Sequence, residues 1–225
     1  MFALDSEFTH DTWVQAVEIR PGNASVVHHV NVFLRPKGAS KETVYYNAMR
    51  DVFFTVMVPG NTTTSWPAGI AKLVPAEWDI VLPVHYQPNG QPNGQPQTDQ
   101  TSIGLQLADV STIRQQTATR AMLKADMVIP PNDTATFTSE WTLEDDFTLF
   151  LLMPHMHLRG RSMRVEAHRE VLLNVPNFDF NWQHRYVLAE PGLPRLSPSP
   201  WPAHSCVEAE MGDPYPVVGS HLRWC

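Results

Sequence analysis

Histidine is the residue type through which this sequence is best equipped to do chemistry. The chain of 225 residues contains ten histidines but two cysteines, Cys206 and Cys225, which are too few for a disulfide framework or a four-thiolate zinc site. His155 and His157 lie two residues apart in LFLLMPHMHLRGRSM. Side chains two apart on an extended backbone leave the same face, so this spacing predicts a chelating pair of imidazoles.

Three further histidines lie in two other strand-like segments. His28 and His29 are inside ASVVHHVNVFLRP, and His85 is inside IVLPVHYQP. Neighbours on a strand normally face opposite ways, so His28 and His29 can meet one metal only if the strand lies at an edge, twists sharply or carries a bulge. Because unpartnered imidazoles within or beside apolar strands are costly, these five rings favour metal binding over coincidence.

The other five histidines are interpreted as ordinary hydrogen-bonded residues. A single histidine in a strand is more often a core or surface residue than a ligand. This interpretation applies to His10, His168, His184, His204 and His221.

The type of metal follows from ligand chemistry. Imidazole suits copper, zinc, nickel and iron, but there is no HExxH sequence for a zinc hydrolase and no obvious carboxylate for an iron facial triad. A methionine thioether selects Cu(I), although each methionine is more often a core filler. A histidine site together with a histidine/methionine site fits redox copper, and the second half offers Met153, Met156, Met163 and Met211.

The elements that must position these residues are predicted to be β-strands. Twenty prolines and eleven glycines punctuate short runs rich in Val, Ile, Phe, Thr and Trp, which is typical of an all-β sandwich. A helix is conceivable around Lys41 to Arg50, but it has no clear apolar stripe. The predicted strands are Val14 to Ile19, Ser25 to Leu34, Asp51 to Val58, Ile70 to Val74, Asp79 to Gln87, Ser102 to Leu107, Phe137 to Leu143, Phe147 to Met153, Met163 to His168 and Asn181 to Leu188.

The length and texture of the chain predict two antiparallel β-sandwich domains. A typical domain has roughly 150 residues, and the polar stretch Ser111 to Arg120 separates two strand-rich halves. We therefore expect an N-terminal sandwich over residues 1–115 and a C-terminal, incomplete sandwich over 116–190. Seven prolines in the last 35 residues predict an irregular tail over 191–225. The repeat QPNGQPNGQP, Gln87 to Pro96, reads as an exposed hairpin loop.

Composition narrows the range of partners. The net charge of −7 provides no basic surface for a phosphate backbone, which argues against nucleic acid. No stretch approaches the roughly 18 uncharged apolar residues of a membrane span, so a small or neutral partner is expected. The opening residues MFALDSEFTHDTW lack the basic and apolar regions of a secretory signal, so the chain itself leaves the compartment undecided.

Four segments together resemble one family. These are VVHHVNVFLRP, VPAEWDIVLPVHYQPNG, LFLLMPHMHLRGRSMRVEA and VLLNVPNFDFNWQHRYVLAEP, which span roughly residues 12 to 191 in order. They resemble the copper type II, ascorbate-dependent monooxygenases, which include peptidylglycine α-hydroxylating monooxygenase and dopamine β-monooxygenase, and the likeness is closest to their bacterial relatives. The HH, H and HxH elements in combination are far more specific than any one of them.

The resemblance implies a fold, an activity and a ligand set. It implies two jelly-roll sandwiches facing each other across a solvent-filled cleft, with one copper in each. His28, His29 and His85 would bind an electron-donating copper, while His155 and His157 would bind the catalytic copper that activates dioxygen. Ascorbate would be the reductant, a small molecule or peptide the substrate, and a secreted or periplasmic location is expected.

The resemblance also implies a methionine as the third ligand of the catalytic copper. In the family this methionine lies on a late strand and commonly follows a glutamate. Glu210 and Met211 match that pair, although they fall within the proline-rich tail. Met211 is therefore the expected ligand, and the competing interpretation is an ordinary methionine. Without a thioether, His155 and His157 plus water would hold the copper less tightly as Cu(I).

Two other functions use the same histidines. One is a non-catalytic copper-binding or electron-transfer protein, and the other is a structural zinc protein, because zinc also accepts imidazole. The substrate is not defined by the sequence. Arg159, Arg161 and Arg164 follow the HxH pair and could meet a substrate carboxylate, but arginines at strand ends are usually solvated or paired with acids.

Overall fold

The protein folds into two compact units. The computed structural model describes residues 1–40, 52–88, 90, 95–122, 124, 127–130, 133–142, 145–188 and 194–198, together with the backbone of 203–210. Unit 1 comprises Met1–Ala121, and unit 2 begins at Met122. This division falls six residues after the sequence-predicted boundary, because Gln115–Gln116 pair with a strand of unit 1.

The described residues of unit 1 form ten strands and one short 3-10 helix, Val110–Thr112. The strands are β1 (Phe2–Leu4), β2 (Thr12–Arg20), β3 (Val27–Pro36), β4 (Phe53–Met57), β5 (Thr63–Ser65), β6 (Ile70–Val74), β7 (Trp78–Leu82), β8 (Val84–Tyr86), β9 (Ser102–Leu107) and β10 (Gln115–Gln116).

These strands form two five-stranded sheets packed as a sandwich. One sheet has the order β1-β7-β3-β4, with β8 also paired to β3. The other has the order β10-β6-β2-β5, with β9 also paired to β2. All pairs are antiparallel except the short parallel pair of β10 and β6. The chain repeatedly changes sheet between consecutive strands, and the prediction of an all-β sandwich is confirmed here.

Apolar alternation explains why β2 and β3 hold the sandwich together. In β2, Val17 and Ile19 are buried with period two, and Val14 joins them because the register with β9 shifts between Val14 and Ala16. In β3, every residue from Val27 to Leu34 is buried, so both faces of the strand are covered. This strand carries the histidine pair of unit 1.

Side chains link the two sheets of unit 1 directly. Thr55 and Thr64 hydroxyls lie 2.8 Å apart, and the rings of Phe54 and Trp66 meet edge to face at 6.1 Å. Lys72, on β6, is buried between the sheets, where its ammonium donates to the Phe53 carbonyl oxygen at 3.0 Å. Burial, together with the nearby Arg120 charge, lowers the pKa of Lys72 to about 7.

Unit 2 is also built of antiparallel sheets. Its main sheet has the order β11-β18-β14-β15, and two short ribbons pair β12 with β17 and β13 with β16. The strands are β11 (Thr134–Trp141), β12 (Phe147–Thr148), β13 (Leu151–Leu152), β14 (Gly160–Ala167), β15 (Glu170–Val175), β16 (Tyr186–Val187), β17 (Arg195–Leu196) and β18 (Ala203–Glu210).

A tight hairpin turn and a small hydrophobic cluster help to define the fold of unit 2. His168 and Arg169 connect β14 and β15 with φ of 51° and 68°, the backbone of a two-residue hairpin turn. Ala167 and Leu196 form a buried core cluster. Partly buried hydrophobic residues pack against that cluster, namely Trp141, Phe147, Leu149 and Leu172.

The expectation of an irregular tail is wrong for part of residues 191–225. β17 pairs with β12, and β18 lies between β11 and β14 in the main sheet. The prolines of the tail flank the run Ala203–Glu210 but do not interrupt it, so these eight residues can form ladder hydrogen bonds on both sides. Proline density predicted the loops around the strand and concealed the strand itself.

Several other predicted strands are divided or shortened, among them Phe147 to Met153, which forms the separate strands β12 and β13. The predicted strand from Asp79 to Gln87 is two strands, β7 and β8, because Pro83 has no N–H to donate to the ladder. In the predicted strand from Asn181 to Leu188, Tyr186–Val187 are the residues in strand conformation. The conceivable helix from Lys41 to Arg50 and most of the predicted loop from Gln87 to Pro96 lie outside the described residues.

In the part of the chain that the structure describes, no helix has both the length and the apolar character needed to cross a bilayer.

Candidate metal centres

The first candidate centre is formed by the three histidines of unit 1. His28 and His29 lie on β3, and His85 lies on the paired strand β8. The Nδ1 atoms of His28 and His29 are 3.1 Å apart, and those of His29 and His85 are 3.2 Å apart. One ligand atom from each of the three residues lies within 4.8 Å of the others. The structure therefore brings these three predicted ligands together.

A bulge explains how two adjacent residues reach one point. The register between β3 and β8 shifts between Val27 and His29, and His29 is placed opposite His85. A bulge of this kind re-aims a side chain that regular pleating would send to the opposite face. The sequence predicted that His28 and His29 can meet one metal if their strand carries a bulge, and the structure has such a bulge.

The rings of the first centre are largely shielded from water. His28 and His29 are 1% and 0% exposed, whereas His85 is partly exposed. Burial lowers the pKa of His85 below its ordinary value, because a charged ring is penalised away from water. A neutral imidazole has a lone pair for a metal, so this environment favours metal binding.

The strand that carries His85 is anchored at its end by Asp99. The Asp99 carboxylate accepts hydrogen bonds from Tyr86 Oη at 3.0 Å, Thr101 Oγ1 at 2.8 Å and Asn23 N at 2.9 Å. Gln87 N also donates to Val26 O at 2.8 Å. These bonds join the end of β8 to the loops around it, and so help to hold His85 in place.

The ring nitrogens of the first centre are arranged better for binding one metal ion than for hydrogen bonds to one another. A neutral ring nitrogen carries either one proton or one in-plane lone pair, so His29 Nδ1 can satisfy one of its two nitrogen neighbours at a time. A metal ion accepts a lone pair from every nitrogen. Two nitrogens about 2.0–2.1 Å from one ion and separated by these distances subtend an angle of about 100°, which tetrahedral or trigonal coordination tolerates.

The second candidate centre is formed by His155 and His157 in unit 2. Their ring centroids are 5.3 Å apart, with the planes at 89°. Both residues lie in the connection that follows β13, and His157 O accepts a hydrogen bond from Gly160 N at 2.9 Å, which closes a turn. The predicted pair is therefore brought together, on an extended connection that ends in a turn rather than within a strand.

One short loop contacts both histidines of this pair. Gln183 Oε1 accepts a hydrogen bond from His155 Nδ1 at 2.5 Å. The Phe180 ring meets the His157 ring edge to face, with centroids 5.9 Å apart. Gln183 is 2% exposed, so the contact with His155 is shielded from water.

The methionines of this region have different environments. Met156 is 2% exposed and packs against Gly160, where a Cβ would lie 2.5 Å from Met156 Cβ. Met156 thus acts as a core residue that supports the turn between the histidines and β14. Met211, the predicted third ligand, lies outside the described residues.

Two of the arginines after the HxH pair contact other residues of unit 2. Arg159 donates to Ile129 O at 3.4 Å, and burial lowers the pKa of its guanidinium. Arg164 forms an ion pair with Glu166. Arg185, which follows Gln183 by two residues, also has a pKa lowered by burial.

The histidines interpreted as ordinary residues have ordinary surroundings where they are described. His10 is exposed, and His168 Nε2 lies 2.9 Å from Ser197 O. His184 lies between Trp182 and Tyr186, with ring centroids at 5.0 Å and 6.1 Å. The side chain of His204 and all of His221 lie outside the described part of the chain.

A surface cleft opens beside the second centre. Its walls combine aromatic and apolar side chains with polar ones such as Asn177 and Asp179. The cleft is lined by Pro154, Val175, Asn177, Phe178, Asp179, Trp182, His184 and Tyr186.

Comparison with known proteins adds no assignment. No family model matches this chain, and no curated protein matches it at a significant level. The functional interpretation therefore depends on the two histidine centres and on the resemblance of the four sequence segments.

Sequence reasoning missed the residues that hold the ligands in place. Asp99 follows the repetitive loop and had no distinguishing pattern. Gln183 lies in NWQHR, a segment noted for its resemblance but not for an amide in contact with His155. The available signal was Gln183 itself, a polar residue between the aromatic Trp182 and His184 in a segment predicted to be a strand.

Proposed function

We propose that this chain is a copper-dependent monooxygenase that hydroxylates an unactivated C–H bond with dioxygen and ascorbate. His28, His29 and His85 hold one copper, which supplies electrons. His155 and His157 hold the second, catalytic copper, with Met211 as the third ligand. The substrate is a small molecule or peptide.

The observation that supports this proposal most strongly is the meeting of three Nδ1 atoms in unit 1. Three imidazoles without a carboxylate ligand suit copper or zinc. The existence of a second imidazole pair, in the spacing of the copper monooxygenases, favours copper over a structural zinc ion. A single three-histidine site would not distinguish the two metals.

The protein's own residues supply position and protonation state. The buried strand β3 fixes His28 and His29, and burial keeps His85 neutral. In unit 2, Gln183 and Phe180 contact the two rings of the pair. Bound copper supplies one-electron chemistry and dioxygen activation, which no amino-acid side chain here provides. Ascorbate supplies two electrons, so that one oxygen atom enters the substrate and the other leaves as water.

Metal analysis tests the ligand set first. We expect two copper ions per chain, with type II signals in electron paramagnetic resonance of the oxidised protein. The variant His157→Ala should retain the first copper and lose the second, while His168→Ala, a histidine outside both centres, should retain both. Purified protein that binds zinc in preference to copper would contradict the proposal.

Oxygen uptake separates the monooxygenase from a non-catalytic copper protein. A monooxygenase consumes dioxygen and forms hydroxylated product in proportion when ascorbate and a substrate are present. A copper carrier or electron-transfer protein would cycle its metal and form no such product. Two bound coppers with no product from any peptide or small-molecule library would favour the carrier.

A further inference from the structure

The loop that contacts the second histidine pair is a defined turn. Trp182 N donates to Asp179 O at 3.0 Å, and the Asp179 carboxylate accepts from Asn181 N at 2.8 Å. Phe178 N donates to Arg161 O at 2.6 Å, which ties the start of the loop to β14. The position of Gln183 is therefore set by backbone bonds and not by its side chain alone.

The hydrogen bonds of Gln183 define which atom of its amide faces His155. Gln183 Nε2 donates to Phe180 O at 3.0 Å, and Gln183 Oε1 lies 2.5 Å from His155 Nδ1. Rotating the amide by 180° would place its oxygen against the Phe180 carbonyl oxygen, where neither atom can donate. The oxygen of Gln183 therefore faces His155.

An amide oxygen only accepts, so His155 Nδ1 carries the proton. A neutral imidazole with a proton on Nδ1 has its lone pair on Nε2. The first centre is different, since Nδ1 atoms of all three histidines face one another there. The two centres thus present different ring nitrogens.

We propose that Gln183 is the positioning residue of the second centre, because it fixes His155 as the Nδ1–H tautomer and directs Nε2 to the metal. Its role toward copper rests on the proposed function, whereas its role in the tautomer does not. Partners of this kind orient ligating histidines and raise their basicity, and their loss costs about 10–100-fold in metal affinity.

The tautomer is tested in metal-free protein. Nitrogen-15 NMR of histidine-labelled protein distinguishes protonated from unprotonated ring nitrogens, and His155→Ala assigns the His155 signals. We expect the Nδ1–H form in the wild type and a mixture of tautomers in Gln183→Leu. Asn174→Leu removes an exposed amide from the same unit and should leave the signals unchanged. A wild-type His155 protonated mainly on Nε2 would overturn the inference.

Copper titration tests the consequence. Gln183→Leu should weaken the second copper about 10–100-fold and leave the first unchanged. Gln183→Glu keeps an acceptor at His155 but places a carboxylate oxygen against Phe180 O, so it should restore only part of the binding. Second-site affinity equal to wild type in Gln183→Leu would overturn the role toward copper. A wild type that has the expected tautomer but binds one copper would refute the proposed function of this centre, and with it that role.

Discussion

At the scale of the residue, the first centre depends on His29, whose Nδ1 atom can satisfy one of two neighbouring ring nitrogens at a time. His29 Nδ1 lies within 3.2 Å of both neighbouring Nδ1 atoms, so it is the common member of both contacts. His85 is the more exposed partner, and the backbone bond of Gln87 and the hydroxyl bond of Tyr86 hold its strand independently of the ring. Removal of the His85 ring should therefore affect the metal more than the fold.

We expect His85→Ala to lower copper affinity at the first centre by more than the 10–100-fold typical of a lost supporting partner, since a ligand itself is removed. The free energy of unfolding without metal should change by about 1 kcal/mol or less. Copper titration and chemical denaturation measure the two effects. His10→Ala, which removes an exposed histidine of the same unit, is the control, and equal copper affinity in both variants would contradict the assignment.

Lys72 is the residue that makes the stability of unit 1 depend on pH. Its pKa is about 7 in the folded protein and 10.5 when exposed. Between these values the unfolded chain binds more protons, so the free energy of unfolding contributed by Lys72 rises with pH from about 7 to 10.5. Below pH 7 both states are protonated, and the cost of burying the charge is paid in full.

We expect Lys72→Met to lose this rise and to be more stable than wild type near neutral pH, by a few kcal/mol at most, because the ammonium also donates to Phe53 O. Denaturation of both proteins between pH 6 and pH 10, with their difference plotted against pH, measures the effect. A difference that does not vary with pH would show that Lys72 is charged throughout.

At the scale of the element, the turn before β14 connects the second centre to the core. Gly160 N closes the turn on His157 O, and Gly160 faces the buried Met156 side chain so closely that a methyl group has no room. The contact between Gly160 and Met156 therefore fixes the path of the connection that carries both histidines.

We expect Gly160→Ala to destabilise unit 2 by about 1–3 kcal/mol and to weaken the second copper, since the added methyl displaces the connection. Chemical denaturation and copper titration report the two effects. Gly104→Ala is the matched control, because its new Cβ would meet nothing nearer than Glu18 O at 4.0 Å. Met156→Ala removes the Sδ and Cγ atoms that the new methyl would meet but keeps Cβ, so the cost of Gly160→Ala should be smaller in the Met156→Ala background than in wild type. Equal costs in the two backgrounds would argue against this contact as the cause.

Strand patterns predicted elements better than they predicted where elements break. Val17 and Ile19 alternate with polar residues, and β2 was found there, while Pro83 divided an apolar run that looked continuous. The centres followed a similar rule. Spacing identified His155 and His157, but the shift that joins His28 to His29 depends on pairing with a strand more than 50 residues away, which local pattern does not contain.

At the scale of the whole molecule, the two units differ in how much of the chain each needs. The ligands of the first centre and the ten described strands of unit 1 lie within Met1–Ala121. In unit 2 the main sheet is joined through β18, since β11 and β14 each pair with that strand. Loss of β18 would leave two unpaired edges in place of a continuous sheet.

We therefore expect a chain truncated after residue 200 to keep unit 1 folded, with its copper affinity unchanged, while unit 2 loses its protected structure. Limited proteolysis with mass spectrometry, together with copper titration, measures both. A truncated protein in which residues 134–175 resist proteolysis as well as in the full chain would contradict the central role of β18.

The place of β18 also sets an order of events during synthesis. The three histidines of the first centre have left the ribosome, with the described strands of unit 1, while the second half is still being translated. His155 and His157 leave it well before β18, the strand that completes the main sheet of unit 2. We expect a nascent chain to acquire metal at the first centre early and at the second only once β18 has emerged and paired.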